Sequence, residues 1–306
     1  MPPTVNRTMT PAEWALLVTL AVLWGGSYFY IAIAIKVLPA FTIVAFRVAV
    51  GGALLYVAVR ATGAAMPRDG ASWRAYFVMG FLNNVVPFSL IAWAQSHVAS
   101  GLAAILNATT PLFAVVFAHY LTGDERMTAG RVGGLIVGFI GVVVMIGPDA
   151  LGGMSTDLLA ELALLLASVF YAVSPIYARR FGRAGHAPIV SATGQFAAAT
   201  VMMVPLAVVI DRPWALPMPG VNVWAALIAL AVLSSAVAYI IYYRLLKTAG
   251  AVNLLLVTFL VPVSAILLGA VFLHERLAVA DFAGMALIAL GLAGIDGRPL
   301  KLFARA

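Results

Sequence analysis

Few side chains in this sequence can do chemistry, and most of them lie inside long apolar runs. Arg47 stands about one third of the way into the run at 41–60. An ionisable group placed there is costly and marks a functional position by default. Two functional roles suit Arg47: partner for a carboxylate on a small ligand, or gate. A structural role suits it too, capping carbonyls or pairing across helices while the guanidinium snorkels to the near surface. Acidic residues avoid the middles of the runs, and Glu161 sits only a few residues inside one. Uncharged polar groups are more plentiful: Ser27, Asn83, Asn84, Gln95, Asn107, Thr109, Thr110, Ser168, Ser174, Ser234, Ser235, Asn253 and Thr258. Their donors and acceptors suit the carboxylate and amine of a zwitterion. They also suit interhelical bonds, at about 0.6–2 kcal/mol each.

Aromatic residues share these runs. Trp24, Tyr28, Phe81, Tyr171 and Tyr239 fall near the middles, where rings shape a pocket for an apolar side chain. Trp93, Tyr177, Tyr242 and Tyr243 fall nearer the ends and read as an interfacial belt. The residues expected to meet a ligand are Trp24, Tyr28, Asn83, Asn84, Phe88, Asn107, Thr110, Tyr171, Ser235, Tyr239 and Thr258, with Arg47 as charge partner or gate.

Bond-making chemistry finds no machinery. There are no cysteines, which excludes disulfides, thiolate nucleophiles, cysteine-bound zinc and iron–sulfur clusters. His274-Glu275-Arg276 lacks the second histidine of a zinc-protease helix. No pair of acids lies near the middle of a run, and no serine has an evident base. The expectation is a non-enzyme with no metal and no cofactor. Histidine as a residue type suits proton coupling, and the sequence offers His97 and His119, although both fit an interfacial position. No basic block is long enough to suggest nucleic acid.

What positions these residues follows from composition. Apolar residues make up 64% of the 306, charged residues only 9%, and mean hydropathy is +1.06. Soluble domains carry about 25% charged residues and disordered chains more still. Both classes are excluded, leaving an all-α polytopic membrane protein with the lipid bilayer as its solvent. Ten runs can cross, near 14–34, 41–60, 74–95, 100–121, 130–147, 158–178, 189–210, 222–243, 251–273 and 281–296. The remaining residues leave no room for a soluble domain. The first run is too long for a signal-peptide core and reads as an uncleaved anchor. With the N-terminus inside, fourteen of the eighteen Lys and Arg fall in cytoplasmic segments, so both termini are expected to be cytoplasmic.

The chain also repeats itself. Glu125-Arg126 matches Glu275-Arg276 at an offset of 150, and Gly134, Gly141 and Gly147 match Gly284, Gly291 and Gly297 at the same offset. Pro111 pairs with Pro262, and Trp73 with Trp224, one residue further apart. The halves are 1–150 and 151–306, five runs each. An odd unit enters the membrane from opposite sides in its two copies, the inverted-repeat architecture of many secondary transporters. Pro87, Pro111, Pro175 and Pro262 interrupt runs 3, 4, 6 and 9, as hinges for rocking or as static kinks. Gly130, Gly134 and Gly138 make one small-residue face on run 5, read as packing within the bundle rather than as a dimer face, so a monomer is expected.

These features resemble the drug/metabolite transporter superfamily, in its EamA-type branch. The matching pieces are WGGSYF at 24–29, AFRVAVGGALL at 45–55, and the Pro111 and Pro262 runs, each followed by a Glu-Arg pair and a glycine-rich run. The resemblance covers nearly the whole chain. It implies ten helices in two inverted five-helix repeats, and export of small metabolites, commonly amino acids, through a bacterial inner membrane. In the second repeat Gln195 stands near the place of Arg47, so the two halves are not chemically equivalent.

Overall fold

The computed structural model describes residues 9–121, 129–146, 156–254 and 256–296. Among them there is no β-strand. Helices α1 (Pro11–Ala34) and α2 (Ala40–Ala61) form the first two passes. The third is α3 (Gly70–Gly80), a π-helical turn at Phe81–Val85, and α4 (Val86–Ala94). The fourth is α5 (Ser100–Asn107) and α6 (Thr110–Leu121), and the fifth is α7 (Ala129–Ile146). The second half runs α8 (Thr156–Arg183), α9 (Pro188–Ile210), then α10 (Val221–Ala231) joined to α11 (Ala238–Thr248) by a π-helical stretch at Val232–Val237. It ends with α12 (Gly250–Leu254), α13 (Val257–Phe272) and α14 (Val279–Asp296). Seven of these passes are long and apolar enough to span a bilayer, and three shorter apolar helices, Val132–Ile146, Val257–Phe272 and Val279–Gly294, complete the ten. The expected all-α, ten-helix membrane fold is what the chain adopts. Glu125, Arg126, Gly147 and Gly297, used to recognise the repeat, lie outside the described residues.

Helix starts need partners for their free N–H groups. Thr10 and Glu13 close a reciprocal capping box on α1. Asp69 accepts from the Ser72 N–H at 2.7 Å and caps α3. Two helices take their caps from distant loops instead. The Asp211 carboxylate accepts from Thr42 N–H at 2.7 Å on α2. Glu275 accepts from Ser100 N–H at 3.0 Å and from the Ser100 hydroxyl at 2.7 Å on α5.

The breaks in passes 3 and 8 have different chemical causes. Pro87 has no N–H, and in a continuous α-helix its ring would strike the carbonyl of Asn83. The chain widens into a π turn just before it, and Val86 N–H bonds Phe81 O instead. Pass 8 has Ala238 in the equivalent place. There Ser234 donates to Leu23 O at 2.5 Å and Ser235 to Leu230 O, five residues back, at 3.2 Å. Serine hydroxyls thus do in one repeat what proline does in the other. Pro87 and Pro111 fall in the first turns of α4 and α6, where no N–H is needed. Pro175 and Pro262 lie inside α8 and α13, as does Pro205 inside α9.

Glycines set three close crossings. A Cβ on Gly25 of α1 would meet the backbone of α13 at Val261 O, 2.8 Å away. Gly51 and Gly52 of α2 lie against Phe196 of α9. Gly134, Gly138 and Gly141 of α7 face Gly284, Gly291 and Gly294 of α14, so most of that face is spent within the bundle. Gly130 has open space beside it.

Candidate functional site

The mid-helix polar and aromatic residues converge. Asn83 lies in the π turn of pass 3, and its amide donates to the Tyr239 hydroxyl, two residues beyond the π stretch of pass 8, at 3.2 Å. Trp24 of α1 packs on Tyr239, ring centres 6.4 Å apart, and on Tyr242 at 5.7 Å. Tyr239 in turn meets Phe196 at 5.1 Å, and Phe196 meets Phe88 at 6.5 Å. Arg47 of α2 reaches into this wall. Its guanidinium lies 3.7 Å over the Phe88 ring, and its Nε–H donates to Ser235 Oγ at 3.0 Å. The phenols of Tyr28, Tyr171 and Tyr239 are its electrostatic neighbours.

A second strand of the network runs through pass 4. The Tyr28 phenol lies beside the Asn107 side chain. Ser168 of α8 donates to Asn107 Oδ1 at 3.3 Å. Gln95 donates to the Tyr28 carbonyl at 3.1 Å. The break after Asn107 leaves carbonyls that side chains then occupy: Thr109 donates to Leu106 O at 2.6 Å and Thr110 to Asn107 O at 2.8 Å. Asn84 is fully buried beside the Tyr239 phenol, yet neither end of its amide closes a hydrogen bond.

Trp24, Tyr28, Arg47, Asn83, Asn84, Phe88, Asn107, Tyr171, Ser235 and Tyr239 are therefore brought into one neighbourhood. Thr110 is turned onto the Asn107 carbonyl at the end of α5, and Thr258 lies half-buried in the first turn of α13. Four expectations are corrected. Arg47 does not snorkel: it is 6% exposed and bonds a serine at the midpoint of the Val221–Leu246 pass, because a buried acceptor and ring face lie within its reach. Phe81 does not line the group but is exposed and packs on Phe170. Tyr242 and Tyr243 are not belt residues, since their rings pack, tilted, on Trp24 and Tyr239. None of the residues expected to meet a ligand lies in pass 7, yet pass 7 contributes Phe196 to the group. Phe196 was overlooked, although the Gly51-Gly52 pair on α2 was a signal that something large had to fit against it.

No cluster of His, Cys, Asp or Glu able to hold a metal occurs among the described residues. The arrangement can recognise, through one cation, amides, phenols and aromatic faces. It carries no nucleophile–base pair.

Comparison with known proteins agrees with this anatomy. An uncharacterized transporter of Bacillus subtilis, YoaV, is 20% identical over 277 residues, covering 90% of this chain and 94% of the relative. The inner membrane transporter YedA of Escherichia coli K12, also described as uncharacterized, is 25% identical, covering 92% and 89%. Protein PecM of Dickeya dadantii is 26% identical, covering 92% and 91%. A protein of known crystal structure superposes with a TM-score of 0.67 at 22% identity, over 97% of this chain and all of that one, which establishes the fold. The sequence model of the EamA-like transporter family matches twice, at residues 13–147 and 158–295, and the chain belongs to that family.

Proposed function

We propose that the protein exports small metabolites from the bacterial cytoplasm by alternating access, with amino acids bearing neutral, aromatic or apolar side chains as the foremost substrates. The observation that carries this reading is the meeting of the two π-broken passes, where Asn83 reaches Tyr239 across the bundle. Helices that lose regular hydrogen bonding near mid-membrane are where transporters place their sites. Five passes per repeat is an odd number, so the copies run in opposite senses and a central site can open to either face. The basic-residue bias puts both termini on the cytoplasmic side. Nucleotide sugars are disfavoured: their phosphates call for several cations, and Arg47 is the cation of the cluster. Drug-like organic compounds remain a class to test.

Counterflow in proteoliposomes tests the reading. Vesicles loaded with an unlabelled amino acid should accumulate labelled methionine or phenylalanine saturably, and empty vesicles should not. Trp24→Ala and Asn84→Ala should each reduce exchange with protein insertion unchanged. Absence of exchange by folded protein across the amino-acid panel, with exchange of nucleotide sugars or organic cations, overturns the substrate assignment.

A further inference from the structure

Arg47 is a buried cation with no carboxylate beside it among the described residues. Its guanidinium offers five N–H donors. Nε–H is spent on Ser235, and one face rests on Phe88. No carboxylate is among its electrostatic neighbours, which are phenols. Five acids are engaged at helix ends: Glu13 with Thr10, Asp69 with Ser72, Asp211 with Thr42, Glu275 with Ser100, Asp281 with Ala278. A phenol dipole and a ring face offset the cost of burying a full charge only in part.

Asn84 supplies an independent observation. It is the counterpart of Ser235 at the 151-residue spacing that relates the two π segments. Its Oδ1 and Nδ2 are both buried without a hydrogen-bond partner. Such orphans are rare in folded proteins and are satisfied by a ligand or water when one arrives. Asn84 abuts the Tyr239 phenol, which also neighbours Arg47.

We infer that Arg47 and Asn84 form the anion subsite of the transport pathway and that the carried molecule must present a single carboxylate. This rests on the carrier reading above and names the group that reading leaves open. The free guanidinium N–H groups face the two carboxylate oxygens, the fork geometry that favours arginine for this task. The Asn84 amide N–H is a further donor to the anion, and its Oδ1 is left for an N–H of the substrate. No acid stands ready for the ammonium of a zwitterion, so the amine is tolerated rather than required. The aromatic wall of Phe88, Phe196 and Tyr239 takes the apolar remainder. The ligand class is the apolar or aromatic monocarboxylate, with or without an α-amine. Amines lacking the acid are excluded.

The deciding experiment is a ligand series on the wild-type protein in proteoliposomes exchanging phenylalanine. Competitors are 3-phenylpropionate, phenylalanine amide, phenethylamine and inorganic phosphate, with thermal unfolding of the detergent-solubilised protein as a parallel binding readout. The free acid should compete with phenylalanine, and the amide and amine should be at least about tenfold weaker. Phosphate should have no effect. Competition by amide or amine within about threefold of the acid overturns the subsite and leaves the carrier reading standing. So does competition by phosphate. An acid-dependent rise in Tm without exchange keeps the subsite and rejects the carrier reading. In Arg47→Gln the acid preference should vanish, and in Arg47→Lys it should weaken but persist. If Arg47→Gln does not fold, the ligand series on the wild type decides alone.

Discussion

The Nε–H of Arg47 donates to Ser235 Oγ at 3.0 Å, joining the second pass to the π-helical stretch of the eighth across 188 positions. One bond thus fixes the direction of a buried charge and ties the two halves together beside the break in pass 8. Ser235 is held from its other side, since it donates to Leu230 O. Ser235→Ala should remove about 1.5–3 kcal/mol, the range for a hydrogen bond to a charged group. Thermal unfolding in detergent checks this, and an unchanged Tm would show that Arg47 finds another acceptor at no cost.

The two glycines of the WGGSYF stretch differ in burden. A Cβ on Gly25 would strike Ser264 Oγ, whose hydroxyl also donates to Ala21 O at 2.8 Å, and would press on the α13 backbone. A Cβ on Gly26 would meet only side chains at ordinary contact distance, the Tyr30 ring at 3.4 Å and Leu268 Cδ1 at 3.8 Å. Gly25→Ala should destabilise by about 1–3 kcal/mol through overpacking, and Gly26→Ala by much less. Comparing the two melting curves under one set of conditions tests the order.

Glu275 accepts at the N-terminus of α5 from two backbone N–H groups and one hydroxyl. Glu275→Ala strands these donors and should cost about 1–2 kcal/mol, as loss of a helix cap does. Glu275→Gln keeps one acceptor oxygen and should fall between Ala and wild type. Equal melting temperatures for all three proteins would remove the cap from the account of stability.

Asp69 gives the pH dependence its sign. The Ser72 N–H, and then the Ser72 hydroxyl, hold its carboxyl below the usual carboxylate range. A group whose pKa is lowered on folding contributes stability above its unfolded pKa, and that contribution is lost as pH falls through the folded value. The cap on α3 should therefore be intact at neutral pH and fail only in acid below the ordinary aspartate range. Asp69→Asn should flatten that acid limb of a Tm-against-pH profile. A profile identical to wild type would refute this role.

Phe196 is fully buried, held between Gly51, Gly52, Phe88 and Tyr239. Phe196→Ala should cost about 3–5 kcal/mol, because the glycines opposite cannot fill the space. Phe196→Leu should fold and should raise the KM for aromatic substrates in counterflow more than for methionine. Equal effects on both would place the ring in the scaffold alone.

The passes were legible from the sequence. Polar gaps between apolar runs gave starts such as 41 and 189 within one residue of the helices at Ala40 and Pro188, because the bilayer imposes length and backbone satisfaction on each pass by itself. The π stretch at Val232–Val237 was not legible, since two adjacent serines have many possible partners and only the packed bundle turns them onto Leu23 and Leu230.

Composition and periodicity by themselves determined the class, the number of passes and the repeat, since each follows from the cost of moving groups out of water one segment at a time. They also named most residues of the central cluster, because a polar or aromatic residue deep in an apolar run is conspicuous wherever it points. Which of them meet was decided only by tertiary structure. Arg47 could have reached the surface, Phe81 could have faced inward, and Phe196 looked like one apolar residue among many. Helix rotation and crossing settle these choices, and they are set by close approaches at Gly25, Gly51 and Gly141 to helices far away in the chain.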